Sequence, residues 1–344
     1  MNLEKTKKLI DDGVGDRRFD SFALLVKKDG EKRILTAPGT DSDTYFDIAS
    51  MGKVLVTATL ILRAVGEGKL SLSDTLDKFF RVPDDRKNIT VGQLLTHTSG
   101  IIRVNIPQWV ADAGKDAIAD FIIDNPLAYT PGTKYVYSCN AYILLGFIAE
   151  KVLGDTLDKL YEKYIKSPLG LTRSRFNIAL DEPNAALSCK RRDVGFYRVD
   201  DENVYSMRGV AGNGAEFWTL SDVDRYLEAV EAKSDKLYAP YLYDLAEKNH
   251  TPGDNFAESR GLGWLYVDSK YHQTGRLFPE GSFGHCGHTG CSMFVSRAEN
   301  LHVIILSNAT RFLNMKNDFR GYNYGEIMKM REEFHNAIAD DLGI

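Results

Sequence analysis

Apolar and polar positions near the start of the chain alternate in the way expected of a β-hairpin. Apolar runs at Phe22–Val26 and Ile34–Thr36 lie on either side of the pair Asp29-Gly30. An Asp-Gly pair between two such runs is typical of a tight turn, because its residues readily adopt positive φ angles. We therefore predict two antiparallel strands joined at Asp29-Gly30.

The next pattern is helical and runs from Ser50 to Val65, with Gly66 and Gly68 as signals for its end. The longest apolar run, Val54 to Val65, lies inside it and is interrupted by polar residues. This run is too short to cross a bilayer, so no membrane partner is expected.

Helices and loops dominate the middle of the chain, where the apolar periodic segments are Leu94-Leu95, Trp109–Ile123 and Ala141–Val152. A further helix is predicted after this region, at Asp222–Ala232. The remaining predicted elements are strands at Gly263–Val267, Ser292–Val295 and Leu301–Leu306, and an amphipathic helix at Tyr324–Leu342.

Strands at both ends of the chain and helices between them predict an α/β fold, in the form of an α+β sandwich. We expect an antiparallel sheet flanked by helices, with a mostly helical inserted domain. The predicted division is a discontinuous sheet domain, residues 1–83 plus 203–344, and a mainly helical insertion, residues 84–202. A cleft between the two parts is the natural place for a functional site.

The composition is that of an ordinary globular protein. Of 344 residues, 43% are hydrophobic and 26% are charged, and the formal net charge is −5. Because no long run is basic, no nucleic-acid partner is expected.

The N-terminal residues lack the apolar segment of a secretory signal, so we expect a cytoplasmic protein, or an exported one if the N-terminus is trimmed. Four cysteines are too few for a disulfide scaffold: Cys139, Cys189, Cys286 and Cys291.

The first candidate for chemistry is Ser50-Met51-Gly52-Lys53, at the start of the predicted helix. Side chains three positions apart on a helix lie on one face, about one turn from each other. A serine hydroxyl becomes a nucleophile when a base takes its proton, and a desolvated lysine can be neutral enough to help. The motif is weak by itself, because a capping serine followed by a surface lysine has the same spacing.

Two further segments accompany this motif. Tyr135-Val136-Tyr137-Ser138-Cys139 leads into a helix-like segment, and Gly284-His285-Cys286-Gly287-His288-Thr289-Gly290 precedes a strand. A glycine-rich turn at a strand edge lets a substrate approach the backbone closely.

In these motifs and their order, the chain resembles the superfamily of serine β-lactamases, D,D-peptidases and esterases, specifically its class C-like branch. Ser50–Lys53 matches the S-x-x-K element of that family, and Tyr137–Cys139 matches its Y-x-N element. His285–Gly287 matches its K-T-G element, where esterase-like members often carry H-x-G. Ile89–Gly100 and Gly209–Gly214 also resemble segments of that branch. The resemblance implies a β-lactamase/transpeptidase-like fold.

The resemblance also implies roles for the matching residues. Ser50 is expected to be the acylated nucleophile, Lys53 its partner in proton transfer, and Tyr137 the general base and then the general acid. His285 is expected to line the opposite wall and to support the substrate carbonyl or carboxylate. The backbone N–H groups of Ser50 and His288 are expected to form the oxyanion hole.

The chain departs from the family pattern at two positions. Cys139 replaces the Asn or Asp of Y-x-N, and a thiol is a poor hydrogen-bonding substitute for an amide. His285 replaces a lysine and would hold a carboxylate less firmly, because it is only partly charged at neutral pH. We expect Cys139 and Gly287 to contact substrate and Asn140 to point elsewhere. An H-x-G element read at His288–Gly290 instead would move the roles three residues on.

Three functions remain open from the sequence. The leading expectation is a serine hydrolase that cleaves an ester or a small amide through an acyl-enzyme. A D,D-carboxypeptidase or β-lactamase is the alternative, and a non-turnover acyl-binding or sensor protein is an alternative of another class. The expected partner is a small-molecule acyl substrate, no cofactor is expected, and the oligomeric state is left open.

Other residues give weaker signals. His285, Cys286, His288 and Cys291 suggest zinc by residue type, but no second ligand pair accompanies them, so no metal site is expected. His97 is expected to fix a turn of the insertion through hydrogen bonds.

Two sets of residues are expected to have purely structural positions. The core or a cleft wall is expected to hold the three tryptophans, Trp109, Trp218 and Trp264. The solvated face of the C-terminal helix is expected to carry its charged residues, Glu326, Lys329, Arg331, Glu332 and Glu333.

Overall fold

The computed structural model describes residues 1–179, 181–188, 199–313 and 324–344. Six strands form one antiparallel sheet in the order β2-β1-β8-β7-β6-β5, and β3 pairs with β4 in a separate ribbon. The strands of the described residues are β1 (Phe22–Lys28), β2 (Glu31–Thr36), β3 (Phe46–Asp47), β4 (Phe217–Trp218), β5 (Leu265–Tyr266), β6 (Phe283–Cys286), β7 (Ser292–Ser296) and β8 (Leu301–Ser307).

The α-helices lie at both ends of the chain and throughout its middle. In the described residues they are α1 (Glu4–Gly15), α2 (Thr59–Gly66), α3 (Val91–Leu95), α4 (Gln108–Asp112), α5 (Lys115–Asp124), α6 (Cys139–Leu153), α7 (Leu157–Tyr161), α8 (Ser167–Leu169), α9 (Glu202–Ser206), α10 (Leu220–Glu231), α11 (Tyr241–Glu247) and α12 (Tyr324–Leu342).

The predicted hairpin is confirmed as β1 and β2. Asp29 and Gly30 both have positive φ angles, 51° and 84°, as a tight hairpin turn requires. Strand β1 also pairs along its whole length with β8, so strands from the two ends of the chain meet at the centre of the sheet.

Helices cover both faces of the sheet. Successive residues of a strand point to opposite sides, so strand β1 contributes side chains to two different cores. Leu24 and Val26 of β1 belong to a core that includes Ile10 of α1 and Phe334 of α12. Leu25 belongs to the other core, with residues of α2, α6 and α10. The antiparallel sheet flanked by helices is therefore confirmed.

The middle of the chain is helical, as expected. Its described residues between 84 and 202 contain α3 to α8 and contribute none of the strands β1 to β8. The larger core continues from the sheet into these helices, since Leu25, Leu60 and Leu144 belong to one cluster. The division into two domains stays a prediction.

The helical segment Ala49–Gly66 is long and apolar enough to cross a membrane by length and composition alone, but 78% of it is buried inside the protein. Such burial is typical of a core helix.

Some predictions were wrong in detail. Trp218 and Trp264 are buried, but Trp109 is 73% exposed and belongs to no core cluster of the described residues. The periodic segment Trp109–Ile123 forms two helices, because the chain breaks at Gly114 with a φ of 102°. Arg331 is fully buried on α12 and does not belong to its solvated face.

Candidate active site

Ser50 lies in a sharp turn that follows strand β3. The carboxylate of Asp47 accepts a hydrogen bond from the Ala49 N–H (2.9 Å), and Ala49 has a φ of 48°. Ser50 then occupies a 3₁₀ turn, Ala49–Met51. Glycine is needed opposite this turn at Gly214, because a Cβ there would lie 2.1 Å from the Ala49 carbonyl oxygen. The sequence thus builds a tight, strained turn around Ser50.

Lys53 is buried directly beside Ser50. Its Nζ lies 3.0 Å from Ser50 Oγ and donates to the Asn213 carbonyl oxygen at 2.6 Å. Burial lowers the pKa of Lys53 below its usual value, although nearby Cys139 and Asp201 act against the shift. A lysine in this setting has access to its neutral amine form, which can accept a proton.

The helical segment that carries Lys53 does not begin as a regular α-helix. A π-helical stretch, Lys53–Ala58, precedes α2. The Thr57 hydroxyl donates to the Gly212 carbonyl oxygen at 2.7 Å and ties this stretch to the segment that also contacts Lys53. Short π-helical segments inside helices are frequent at functional sites. The predicted span of the helix is confirmed, but its winding was not predicted.

Tyr137 faces Lys53, with the lysine Nζ 5.1 Å from the centroid of the Tyr137 ring. The His97 ring packs on Tyr137 with 4.4 Å between centroids. His97 also holds the tyrosine loop, because its Nδ1 accepts from the Ser138 N–H (3.1 Å) and its carbonyl oxygen accepts from the Val136 N–H (3.1 Å). His97 thus makes the expected structural hydrogen bonds, but with the Tyr137 loop.

Cys139 and Asn140 diverge at the start of α6. The Cys139 Sγ lies 3.5 Å from Lys53 Nζ, so the thiol occupies the interior beside the lysine. The Asn140 amide is turned away and exchanges two hydrogen bonds with the backbone of Val104, at 3.1 and 3.2 Å. Asn140 therefore does not supply the amide that Y-x-N normally provides, as expected.

His285 is buried in strand β6 on the side of Tyr137, with 6.4 Å between the two ring centroids. Its Nδ1 lies 2.9 Å from the Cys286 carbonyl oxygen, which can only accept, so Nδ1 carries the proton. Its Nε2 lies 3.4 Å from a nitrogen of Arg260. Burial, with the charges of Arg260 and Lys53, holds the pKa of His285 well below its usual value. The ring is neutral, and was expected to be partly charged.

The turn after β6 brings its first glycine against the backbone that precedes Ser50. A Cβ on Gly287 would lie 2.3 Å from the Ile48 carbonyl oxygen, whereas one on Gly290 would meet Ser307 and Met330 instead. The H-x-G element that faces the site is therefore His285–Gly287, not His288–Gly290. The buried guanidinium of Arg331 donates to the Gly287 carbonyl oxygen and supports this turn from behind.

His288 is held by carboxylates. Its Nε2 lies 2.6 Å from the Asp200 carboxylate. Burial opposes the protonated form, but the hydrogen bond and charge of Asp200 raise the pKa of His288 above its usual value. The neighbouring Asp47 carboxyl accepts from the Asp200 N–H at 2.9 Å, and burial raises its pKa to about 6.

A second unusual carboxyl lies beneath the Ser50 turn. Glu216 is fully buried, and neither of its carboxyl oxygens has a hydrogen-bond partner in the part of the chain that the structure describes. Its carboxyl is pressed against Gly52, where a Cβ would lie 1.7 Å from one of the oxygens. Burial raises the pKa of Glu216 to about 8, so the group holds a proton near neutral pH.

Sequence reasoning missed two buried arginines near the site. Arg331 had a detectable signal, because it lies in helical register with Ile327 and Phe334 on the apolar face of α12. Arg260 had none, because Tyr135 and His285, the partners that place it at the site, are far away in the sequence.

Three of the four cysteines lie in the part of the chain that the structure describes. Cys139, Cys286 and Cys291 are free thiols, and Cys189 lies outside the described residues. The thiol of Cys291 is buried and contacts the Ser307 backbone. No group of three or more His, Cys, Asp or Glu side chains within residues 1–179, 181–188, 199–313 and 324–344 is arranged to hold a metal ion.

Comparison with known proteins shows where this arrangement belongs. The family model described as Beta-lactamase matches residues 6–321. A putative D-alanyl-D-alanine carboxypeptidase of Escherichia coli O157:H7 is 29% identical over 327 residues, covering 84% of this chain and 74% of the relative.

Solved structures agree on the fold. The octameric penicillin-binding protein homologue from Pyrococcus abyssi superposes with a TM-score of 0.75 at 22% identity, covering 100% of this chain and 78% of that one. EstCE1, a hydrolase with promiscuous acyltransferase activity, gives a TM-score of 0.73 at 17% identity, covering 96% and 98%. The chain therefore belongs to the Beta-lactamase family and is a serine hydrolase.

Proposed function

We propose that the protein cleaves esters or small amides through a covalent acyl-enzyme on Ser50. The observation that carries this proposal is the 3.0 Å contact between Ser50 Oγ and Lys53 Nζ, in a buried setting that lowers the pKa of the lysine. A neutral amine at this distance can help to withdraw the serine proton, which is what activates a serine nucleophile.

The proposed reaction uses Lys53 and Tyr137 together. Tyr137 accepts the proton of Ser50 with the help of the Lys53 amine, while Ser50 Oγ forms a bond to the acyl carbon. The bond to the leaving group then breaks, and the proton returns through Tyr137 to the departing oxygen or nitrogen. Water attacks the acyl carbon in the second half, giving up a proton to the same groups and releasing the acid and free Ser50.

The oxyanion hole in this proposal consists of the backbone N–H groups of Ser50 and His288. The close approach of Gly287 to the Ile48 carbonyl supports it, because it brings the two stretches of backbone together. Loss of one such donor typically costs about 2.7–4 kcal/mol of transition-state stabilisation. His285 lines the neighbouring wall and acts as a neutral group.

Cys139 and His285 favour a small, neutral substrate. The Cys139 thiol offers no amide-like partner to a peptide group, and the neutral His285 ring offers no charge to a carboxylate. Esters depend less on such contacts than peptides do, because their leaving groups depart more readily. Gly287 contacts the acyl chain through its backbone in this proposal, because the space where its side chain would lie is taken by the Ile48 carbonyl oxygen.

A D,D-carboxypeptidase is the second candidate, and the similarity to the E. coli D-alanyl-D-alanine carboxypeptidase relative favours it. Such an enzyme would release a C-terminal D-amino acid from a short peptide through the same acyl-enzyme. The buried positive charge of Arg260 lies on the side of the site where His285 lacks one.

The first test is hydrolysis of p-nitrophenyl butyrate at neutral pH. Wild type is expected to turn over, Ser50→Ala is expected to lose all turnover, and the exposed Ser73→Ala serves as the matched control with wild-type activity. Intact-protein mass spectrometry should show a butyryl adduct in wild type and none in Ser50→Ala. Activity that survives in Ser50→Ala would overturn the proposal.

The second test separates the two candidates. A peptide that ends in D-alanyl-D-alanine and a chromogenic cephalosporin are offered to wild type and to Ser50→Ala. Release of D-alanine by wild type without ester turnover would favour the carboxypeptidase. Rapid ester turnover with no release of D-alanine is the result expected here.

A further inference from the structure

Arg260 is a buried cation on the wall of the site. Its side chain is only 4% exposed, and its guanidinium donates to the Tyr135 hydroxyl oxygen (2.7 Å) and to the carboxylate of Glu258. The guanidinium carbon lies 5.5 Å from the centroid of the Tyr137 ring. Another of its nitrogens faces His285 Nε2 at 3.4 Å.

The position of the proton on His285 gives this wall its charge distribution. Because Nδ1 donates to the Cys286 carbonyl oxygen, the lone pair of Nε2 faces Arg260 and is already occupied by a donor. His285 can therefore neither carry the charge of this wall nor take a proton from the substrate. The permanent charge here belongs to Arg260, since a guanidinium is not deprotonated in proteins.

The two histidine rings around Tyr137 are neutral, so positive charge beside it in the described residues comes from Arg260 and Lys53. His97 is buried, with a pKa well below its usual value, and Nδ1 accepts from the backbone, so its ring is neutral. The pKa of Lys53 is lowered by burial. The titratable groups that surround Tyr137 are Lys53 from the π-helical segment, His97 after α3, Tyr135 in the same loop, Cys139 and Tyr142 in α6, Arg260 before β5, and His285 in β6.

We propose that Arg260 is a positioning residue that holds Tyr137 in its ionised form at the pH of catalysis. An opposite charge this near a titratable group favours the charged form. The effect is mutual, because an ionised Tyr137 is among the groups that favour the protonated form of the Arg260 guanidinium. This inference rests on the proposed role of Tyr137 as general base.

The same cluster provides variants with opposite expected effects. Arg260→Met removes the cation, whereas Glu258→Gln removes the anion that partly compensates it and keeps a hydrogen-bonding group. Tyr135→Phe removes a hydrogen bond to Arg260 without changing a charge. A purely structural cluster would respond to all three losses in the same direction. A cluster that acts through charge would not.

The test is a pH titration of tyrosine ζ-carbons by ¹³C NMR, in which the Tyr137 signal is identified by its loss in Tyr137→Phe. In Arg260→Met the midpoint of Tyr137 ionisation is expected to rise by about 1–3 pH units. In Glu258→Gln it is expected to fall, and in Arg260→Lys and Tyr135→Phe it is expected to stay near the wild-type value. The acid limb of kcat/KM on p-nitrophenyl butyrate is expected to move with it.

Two results would overturn the inference: an unchanged midpoint in Arg260→Met, or shifts of the same sign in Arg260→Met and Glu258→Gln. If Arg260→Met does not fold, Glu258→Gln keeps the test decisive, because Glu258 is 37% exposed. A midpoint unchanged or raised in Glu258→Gln would then overturn it. The titration needs no turnover, so absence of turnover counts against the proposed function, while unmoved midpoints count against the role of Arg260.

Discussion

Two clusters border the Ser50 turn, and their histidines lie three residues apart. The Arg260 cluster consists of Arg260, Tyr137 and His285, and the Asp200 cluster consists of Asp200, Asp47 and His288. His285 faces a guanidinium and has a pKa far below its usual value, whereas His288 faces a carboxylate and has a raised pKa. The same residue type therefore has opposite charge states on the two sides.

Burial and the charge of neighbouring groups both act on the pKa values of these two histidines. In both histidines the largest influence is burial, and burial alone favours the neutral ring. Arg260 adds to that influence at His285. At His288, Asp200 and Asp47 together outweigh it. Burial is thus sufficient to keep His285 neutral, whereas at His288 the carboxylates of Asp200 and Asp47 reverse its effect.

The largest expected effect comes from Glu216, which lies against Gly52 and whose carboxyl oxygens have no hydrogen-bond partner in the described residues. Its pKa is raised from 4.5 to about 8, so between these pH values the folded protein holds a proton that the unfolded chain has released. The free energy of unfolding must therefore fall as the pH rises through this window, by about 5 kcal/mol in total.

Glu216→Met should remove this slope and stabilise the protein at pH 8, because methionine fills a similar volume without a buried carboxyl. Urea unfolding at pH 5, 6.5 and 8 measures the free energies of both proteins. Equal pH dependence in wild type and variant would show that Glu216 is not protonated in the fold.

The next effect distinguishes His288 from His285. His288→Leu removes the imidazole that lies 2.6 Å from the Asp200 carboxylate and should cost about 3–5 kcal/mol of stability. His285→Leu leaves only the Cys286 carbonyl and one Arg260 nitrogen unpaired and should cost about 1–3 kcal/mol. Urea unfolding near pH 6 gives both values.

The pH dependence of the two losses should also have opposite sign. The raised pKa of His288 contributes stability that is full below pH 6.5 and is lost as the pH rises through its folded value. The lowered pKa of His285 contributes stability that is present above pH 6.5 and is lost as the pH falls. Slopes of the same sign would contradict the assignment of the two charge states.

The smallest expected effect concerns Cys139, whose thiol contacts Lys53. Cys139→Asn restores an amide at this position and should shift the ratio of ester to amide hydrolysis toward amides by about tenfold, the equivalent of one hydrogen bond. Paired p-nitrophenyl butyrate and butyryl p-nitroanilide assays measure the ratio, and Cys286→Ala provides a thiol control. An unchanged ratio would remove Cys139 from the substrate-binding residues.

Local pattern was sufficient for much of the fold. The hairpin at Asp29-Gly30, the span of the helical segment from Ser50, and helix α12 follow from turn chemistry and periodicity, which are properties of neighbouring residues. The charge state of His285 could not be predicted in this way, because it depends on burial in the folded chain and then on Arg260, 25 residues away in the sequence. The predicted burial of Trp109 was wrong, because periodicity indicates which residues share a helix face but not whether another element packs against that face.

The candidate site also has features that neighbouring residues predict and features that depend on tertiary contacts. The resemblance predicted Ser50, Lys53, Tyr137 and the H-x-G turn as site residues from short local motifs, and the fold brings Ser50, Lys53, Tyr137 and His285 close together. Which of two H-x-G readings faces Ser50 depended on the contact of Gly287 with Ile48, and that contact is tertiary. Glu216 carried no local signal, since a glutamate beside a glycine-rich segment is ordinarily solvated.

The positive φ of Ala49 lowers the stability of the fold but helps to hold Ser50 in one position. A left-handed alanine costs about 1–2 kcal/mol, and glycine would relieve that cost at once. Glycine would also widen the set of backbone conformations open to Ser50, and a displaced nucleophile reacts more slowly. Selection for a more stable protein and selection for a faster one would therefore act in opposite directions at position 49.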